Sequence, residues 1–158
     1  MTTEAPVLDA TCGSKMMWFD KENPLALFAD QRTESHILCD GRALNINPDI
    51  EMDFREMPFE DDTFYLVVFD PPHFDNLGKN SWMSKKYGKL LPSWESDIRL
   101  GFEECWRVLK PGGTLIFKWN EHRIKTSKIL SLLPEKPLFG HPTGQNGKTI
   151  WMTFFKKP

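Results

Sequence analysis

Asp70-Pro71-Pro72-His73 sets a carboxylate and an imidazole on a turn stiffened by two prolines. The residues before it, Leu66-Val67-Val68-Phe69, are apolar and follow the acidic turn residues Glu60-Asp61-Asp62. Neither proline has a backbone N–H to donate, so the pattern predicts a buried parallel strand that ends at Asp70. Ligands of open α/β sheets bind outside the carboxyl ends of the strands, which makes Asp70 a candidate for positioning a substrate. The plain alternative is a loop that only stops a strand.

Three further acids stand in the same relation to apolar runs. Asp9 closes Val7-Leu8 and leads into Ala10-Thr11-Cys12-Gly13-Ser14, a small-residue turn read as leading to a short helix over 15–19. Asp30 closes Leu25-Ala26-Leu27-Phe28-Ala29, about 20 residues on, the spacing at which α/β nucleotide sites place a carboxylate on ribose hydroxyls. Asp53 follows a third candidate strand, 46–52, and Phe54 stands beside it. An acid next to an aromatic suits an adenine ring, the carboxylate accepting from the amine while the ring face is covered. In a parallel sheet all four acids converge on one edge. Gly13 is the only glycine of the first turn, so the dinucleotide fingerprint Gly-x-Gly-x-x-Gly is absent, as is a Walker-type phosphate loop. The turn fits a cofactor that carries hydroxyls, an amine and a carboxylate rather than phosphates.

These acids need a scaffold, and the rest of the pattern supplies one. Residues 31–45 are polar with poor periodicity and contain a turn at Cys39-Asp40-Gly41-Arg42, so no long helix is expected there. Ser93 is positioned to cap a helix running to about Leu109, with Ile98, Phe102, Cys105 and Leu109 at helical spacing. Lys110-Pro111-Gly112-Gly113 stops it, and 114–119 reads as a fifth strand. A short helix over 124–133 and a hairpin with strands near 138–141 and 150–155 complete a mixed sheet with an antiparallel ending. Between Asn76 and Leu91, Lys79, Lys85, Lys86 and Lys89 alternate with Trp82 and Tyr87, and no acid intervenes. Lysines interleaved with aromatics suit a single-stranded or flipped-out nucleic acid, and suit a solvated lid as well.

Composition narrows the class. A chain of 158 residues fits one domain, 1–158, with room for a core that needs no disulfide or metal. Three cysteines, widely spaced and without a Cys-x-x-Cys pair, point to a reducing compartment and away from a zinc site. No apolar run approaches about 18 residues and no signal-peptide pattern opens the chain, so no membrane association is expected and the cytoplasm is the expected location. The net charge of -2 hides a polarity: residues 1–75 hold 5 of the 20 Lys and Arg but 16 of the 22 Asp and Glu. Such a surface orients an anionic partner, or else reflects complementarity within the fold.

Taken together, these residues resemble the class I S-adenosylmethionine-dependent methyltransferases over essentially the whole chain. Asp9-Ala10-Thr11-Cys12-Gly13-Ser14 is similar to the family's first cofactor motif, Asp30 to its ribose acid and Asp53-Phe54 to its adenine contact. The stretches Met57-Pro58-Phe59-Glu60-Asp61-Asp62-Thr63-Phe64 and Val108-Leu109-Lys110-Pro111-Gly112-Gly113 resemble its leads into strands four and five. Asp70-Pro71-Pro72-His73 resembles the Asp/Asn-Pro-Pro-aromatic motif of members that methylate amino nitrogens, including adenine N6 in DNA and RNA, with His73 in place of Tyr, Phe or Trp. Lys15 stands where many members have glycine.

The resemblance implies a Rossmann-like α/β fold: a mainly parallel seven-stranded sheet with an antiparallel C-terminal strand and helices on both faces. It implies S-adenosyl-L-methionine as cofactor, no metal, and a nucleic-acid substrate. Asp70, Pro71, Pro72 and His73 become the catalytic motif. Asp9, Ala10, Thr11, Cys12, Gly13, Asp30, Asp53, Phe54 and Asp70 become cofactor contacts, and Phe74, Lys79, Trp82, Lys85, Lys86 and Tyr87 substrate contacts. Target specificity would come from the 76–91 loop or from a partner protein. Methylation of a protein amide, or a non-catalytic cofactor- or nucleic-acid-binding module, stand as alternatives.

Overall fold

The structure is a computed structural model that describes residues 3–73 and 89–158. Phe74, Lys79, Trp82, Lys85, Lys86 and Tyr87 lie outside the described residues. The elements, in chain order, are β1 (Val7–Asp9), β2 (Ala26–Asp30), β3 (Glu34–Ile37), β4 (Ala43–Ile46), β5 (Ile50–Glu51), β6 (Phe64–Phe69), α1 (Trp94–Val108), β7 (Leu109–Asn120), α2 (Thr126–Leu132), β8 (Phe139–Thr143) and β9 (Thr149–Phe155).

Seven strands form one sheet in the order β5-β2-β1-β6-β7-β9-β8. The pairs β2–β5, β1–β2, β1–β6 and β6–β7 are parallel, whereas β9 runs antiparallel to both β7 and β8. Mostly parallel strands, helical connection and an antiparallel ending make this a Rossmann-like sheet of the methyltransferase type. Because β5, β2, β1 and β6 are adjacent and parallel, their carboxyl ends share one edge, which is where the four strand-end acids lie. Adjacent residues on a strand face opposite sides. Leu8, Val67, Phe69, Leu115, Phe117 and Trp119 therefore meet α1 in the main core, while Asp9 faces the other side. There, Trp18 and Phe28 pack edge to face at 4.8 Å, over Cys12, Ala26 and Val7.

Local chemistry altered three sequence expectations. The short helix read over 15–19 is a succession of turns, held by Lys15 and Trp18 N–H bonds to Cys12 O and Lys15 O. The strand read over 46–52 is divided: Ile46 ends a separate β3–β4 hairpin and only Ile50–Glu51 joins the sheet. Pro48 interrupts the run, and Asp49 pins the break by donating its N–H to Phe28 O and accepting the Phe28 N–H on its carboxylate. Ser93 precedes α1 as expected, but its hydroxyl bonds the Asp97 carboxylate at 2.7 Å rather than a backbone N–H.

Gly101 is where α1 meets the layer beneath the edge. A Cβ there would lie 2.5 Å from Phe54 Cδ2 and 2.7 Å from Phe69 Cζ. Alanine normally favours a helix over glycine by about 1 kcal/mol. Here overpacking, typically about 1–3 kcal/mol, is expected to outweigh that gain. Gly101→Ala should therefore lower the unfolding free energy measured in urea.

Candidate functional site

At the carboxyl edge, Ala10 N–H bonds Val68 O and Cys12 N–H bonds Ala29 O, so the first turn is laced to strands on either side. Asp70 N–H donates to Thr11 Oγ1 at 2.8 Å, which fixes the start of the diproline turn against that loop. Gly13 adopts φ +51°, and its N–H donates to Asp30 Oδ2 at 2.9 Å. Lys15 has φ +56°, a left-handed conformation that glycine takes without cost, and its ammonium lies 4.0 Å from the Phe28 ring centre.

These ties border a cavity of about 120 Å³ that opens to solvent. Ala10, Thr11, Cys12, Gly13, Asp30, Phe54, Asp70, Pro71, Pro72 and His73 all line it. Two of the predicted cofactor contacts do not. Asp9 is fully buried beneath the turn, accepting from Trp18 Nε1 at 2.7 Å and Thr11 N–H at 3.2 Å. Asp53 grips Arg55, which reaches across to Asp97 and so anchors the loop carrying Phe54 to α1.

Electrostatics differentiate the lining groups. Burial raises the Asp70 carboxyl, opposed by the Lys118 ammonium, whose Nζ lies 2.8 Å from Asp70 Oδ2. Burial and the same ammonium push His73 down to about 4, so its imidazole is neutral at physiological pH. His73 stands edge-on to Trp119 at 6.1 Å. Burial pushes the Cys12 thiol above the ordinary thiol range, which disfavours the nucleophilic thiolate. Lys118 was missed in the sequence, although a lysine alternating with Leu115, Phe117 and Trp119 in a strand core was a usable signal. Arg32 was missed too; its N–H and Nε both donate to Asp30 Oδ1.

A carboxylate offers about four lone-pair directions. Gly13 and Arg32 place three donors on Asp30, which leaves capacity for a ligand hydroxyl. Phe54 offers an apolar surface on the same wall. This donor set fits a nucleoside-bearing cofactor. If a ribose hydroxyl occupies that place, Asp30→Asn should weaken binding of the nucleoside-bearing ligand by about 10- to 100-fold, the worth of one charge-assisted hydrogen bond, measured by calorimetry.

Among the described residues no group of three or more His, Cys, Asp or Glu is arranged to hold a metal, and no helix is long and apolar enough to cross a membrane.

The sheet order and the cavity at its carboxyl edge define a Rossmann-like protein of the methyltransferase fold. No protein-family model matches the chain. It is 35% identical over 68 residues to the ribosomal RNA large subunit methyltransferase K/L of Saccharophagus degradans, and 38% identical over 66 residues to that of Hahella chejuensis. These matches take in 43% and 42% of this chain but only 8% of each relative. Among solved structures, the PH0226 protein of Pyrococcus horikoshii superposes with a TM-score of 0.60, covering 96% of this chain and 81% of that one at 18% identity.

Proposed function

We propose that the protein is an S-adenosylmethionine-dependent methyltransferase acting on an exocyclic amino nitrogen, most simply adenine N6 of DNA or RNA. The observation that carries this reading is the fixing of Asp70 by Thr11, at the mouth of a cavity shared by the Gly13 turn, Asp30 and the diproline. The partial similarity to ribosomal RNA methyltransferases supports a methyl-transfer role on nucleic acid.

Ala10 to Gly13, Asp30 and Phe54 would hold the cofactor, which supplies an electrophilic methyl group when bound. An exocyclic amine is a poor nucleophile because its lone pair is delocalised into the ring. Asp70 and the Pro71 carbonyl accept its two hydrogens, favour a pyramidal nitrogen and hold it in line for transfer. Such positioning supplies roughly 7–11 kcal/mol of a barrier. The same acceptors stabilise the positive charge that grows on nitrogen as the new N–C bond forms. One N–H proton then leaves to solvent. His73, neutral and packed on Trp119, shapes the wall beside the amine rather than taking its proton.

The test is incubation of purified protein with isotope-labelled S-adenosylmethionine and DNA, RNA and protein pools, followed by mass spectrometry of nucleosides and peptides. Label on adenine N6 is expected. Label on a peptide amide instead transfers the same chemistry to a protein substrate, and cofactor binding without any transfer makes the protein a binding module.

A further inference from the structure

Lys118 sets an ammonium against the carboxylate that receives the amine in this reading. The register ends at Phe69↔Phe117, so Asp70, the residue after β6, and Lys118 of β7 are the next lateral neighbours, and Lys118 is paired with Trp151 of β9. Laterally paired residues share a sheet face. Asp70, Lys118 and Trp151 therefore form a row, on the face opposite the buried Phe69, Phe117 and Trp119. Lys118 Nζ lies 2.8 Å from Asp70 Oδ2 and 5.4 Å from the centre of the Trp151 ring. Lys118 and Asp70 both line the cavity, with side chains 24% and 17% exposed.

A counter-ion alone would need only the Asp70 contact. An ammonium, however, carries three donors, and Asp70 Oδ2 takes one of them. Among the described residues nothing else takes the other two, which a molecule in the cavity could accept. Occupation of Oδ2 leaves Oδ1 for one amine hydrogen, and the Pro71 carbonyl, which accepts from His73 on one of its two lone pairs, has the other for the second. A planar base whose amine met that pair would bring one atom flanking the amine toward Lys118, the next member of the row. In adenine one neighbour of the amino-bearing carbon is N1, an unprotonated acceptor on the edge read in flipped-out bases. A cationic amine would instead face the ammonium and be repelled.

We infer that Lys118 is a positioning and specificity residue that stays paired with Asp70 while donating to the ring nitrogen beside the acceptor amine, so that the site takes adenine and refuses cationic amines. The inference rests on the adenine reading above and deepens it.

Wild-type, Lys118→Met and Lys118→Arg proteins would be assayed with labelled S-adenosylmethionine on mixed-sequence single-stranded DNA and RNA containing adenine or 1-deazaadenine, and on lysine- and arginine-rich peptides. For the wild type, 1-deazaadenine is expected to lower kcat/KM by about tenfold or more, since it leaves a buried donor unpaired. Lys118→Met should methylate adenine more slowly and treat the two bases alike, while Lys118→Arg, which keeps the charge, retains the preference. The peptides should stay unlabelled. Equal rates on the two bases in the wild type, undiminished preference in Lys118→Met, or methylation of a peptide lysine or arginine overturns the inference while leaving methyl transfer intact. Failure of the wild type on adenine in every strand overturns the adenine reading itself, and this inference with it. If Lys118→Met does not fold, Lys118→Ala takes its place, with the same loss of preference expected and an undiminished preference overturning the inference.

Discussion

On the proposed methyl-transfer reading, Asp70→Ala is expected to lower kcat by about 10²- to 10³-fold, the usual cost of removing one preorganised group that stabilises transition-state charge. Asp70 sits where its loss can be read separately from binding. Its backbone is fixed by Thr11 and by the strand pairing of β6, neither of which the substitution touches. Its side chain contacts Lys118, whereas the first turn is held by Asp30 and by backbone bonds. Affinity for S-adenosylmethionine should therefore stay within about threefold, less than 1 kcal/mol, by calorimetry. Removing the carboxylate also leaves the Lys118 ammonium without its partner, so the double variant Asp70→Ala with Lys118→Met serves as the folding control. Asp70→Asn should fall between wild type and Asp70→Ala: the amide carbonyl still accepts one amine hydrogen but cannot neutralise Lys118. Unchanged transfer by a cofactor-binding Asp70→Ala protein would remove Asp70 from the chemistry.

The sheet was legible because its strands are short, apolar and punctuated. Asp9, Asp30 and Asp70 each end or follow a run whose neighbours are parallel, and adjacency in the sheet brings them to one edge. Phe54, the turn residues Ala10 to Gly13 and the diproline meet in one cavity for the same reason. What was not legible depended on side chains satisfying one another over distance. The spacing of Asp9 and Asp53 could not reveal that Trp18 covers the first and Arg55 occupies the second. Nor could periodicity distinguish the turns over 15–19 from a helix, since Trp18 is held by a carboxylate and by Phe28 rather than by a helical stripe. The β3–β4 hairpin was hidden by its composition: β4 alternates exposed and buried residues, but β3 buries none, and Glu34, His36 and Asn45 break any apolar run. Lys118 was overlooked because a cation within a core strand has meaning only once its lateral neighbour is known.

Asp9 leads to an expected pH dependence of stability with an unusual sign for a carboxylate. Burial raises its carboxyl from the ordinary value of 3.8 to about 7; the Trp18 and Thr11 hydrogen bonds oppose the shift, and the nearby Asp70 and Asp30 charges add to it. Below pH 4 the group is protonated in both folded and unfolded chains and has no effect. Between pH 4 and 7 the unfolded chain has released the proton and the folded chain still holds it, so stability falls as pH rises. At about 1.4 kcal/mol per unit the loss reaches roughly 4 kcal/mol near pH 7 and grows no further above it. Asp53 and Glu104 act in the opposite sense, because arginine partners lower their carboxyls and their contribution is lost as pH falls below the ordinary range. They are present in wild type and in Asp9→Asn alike, so the difference between the two proteins isolates Asp9. The asparagine keeps one carbonyl oxygen for the Trp18 N–H and does not titrate. Urea unfolding from pH 4 to 8 should therefore show Asp9→Asn gaining on wild type by about 3–4 kcal/mol across the interval, whatever their offset at pH 4. A constant difference would mean that Asp9 ionises normally in the fold. The first turn would then rest on a buried charge held by Trp18 and Thr11, not on a neutral carboxyl.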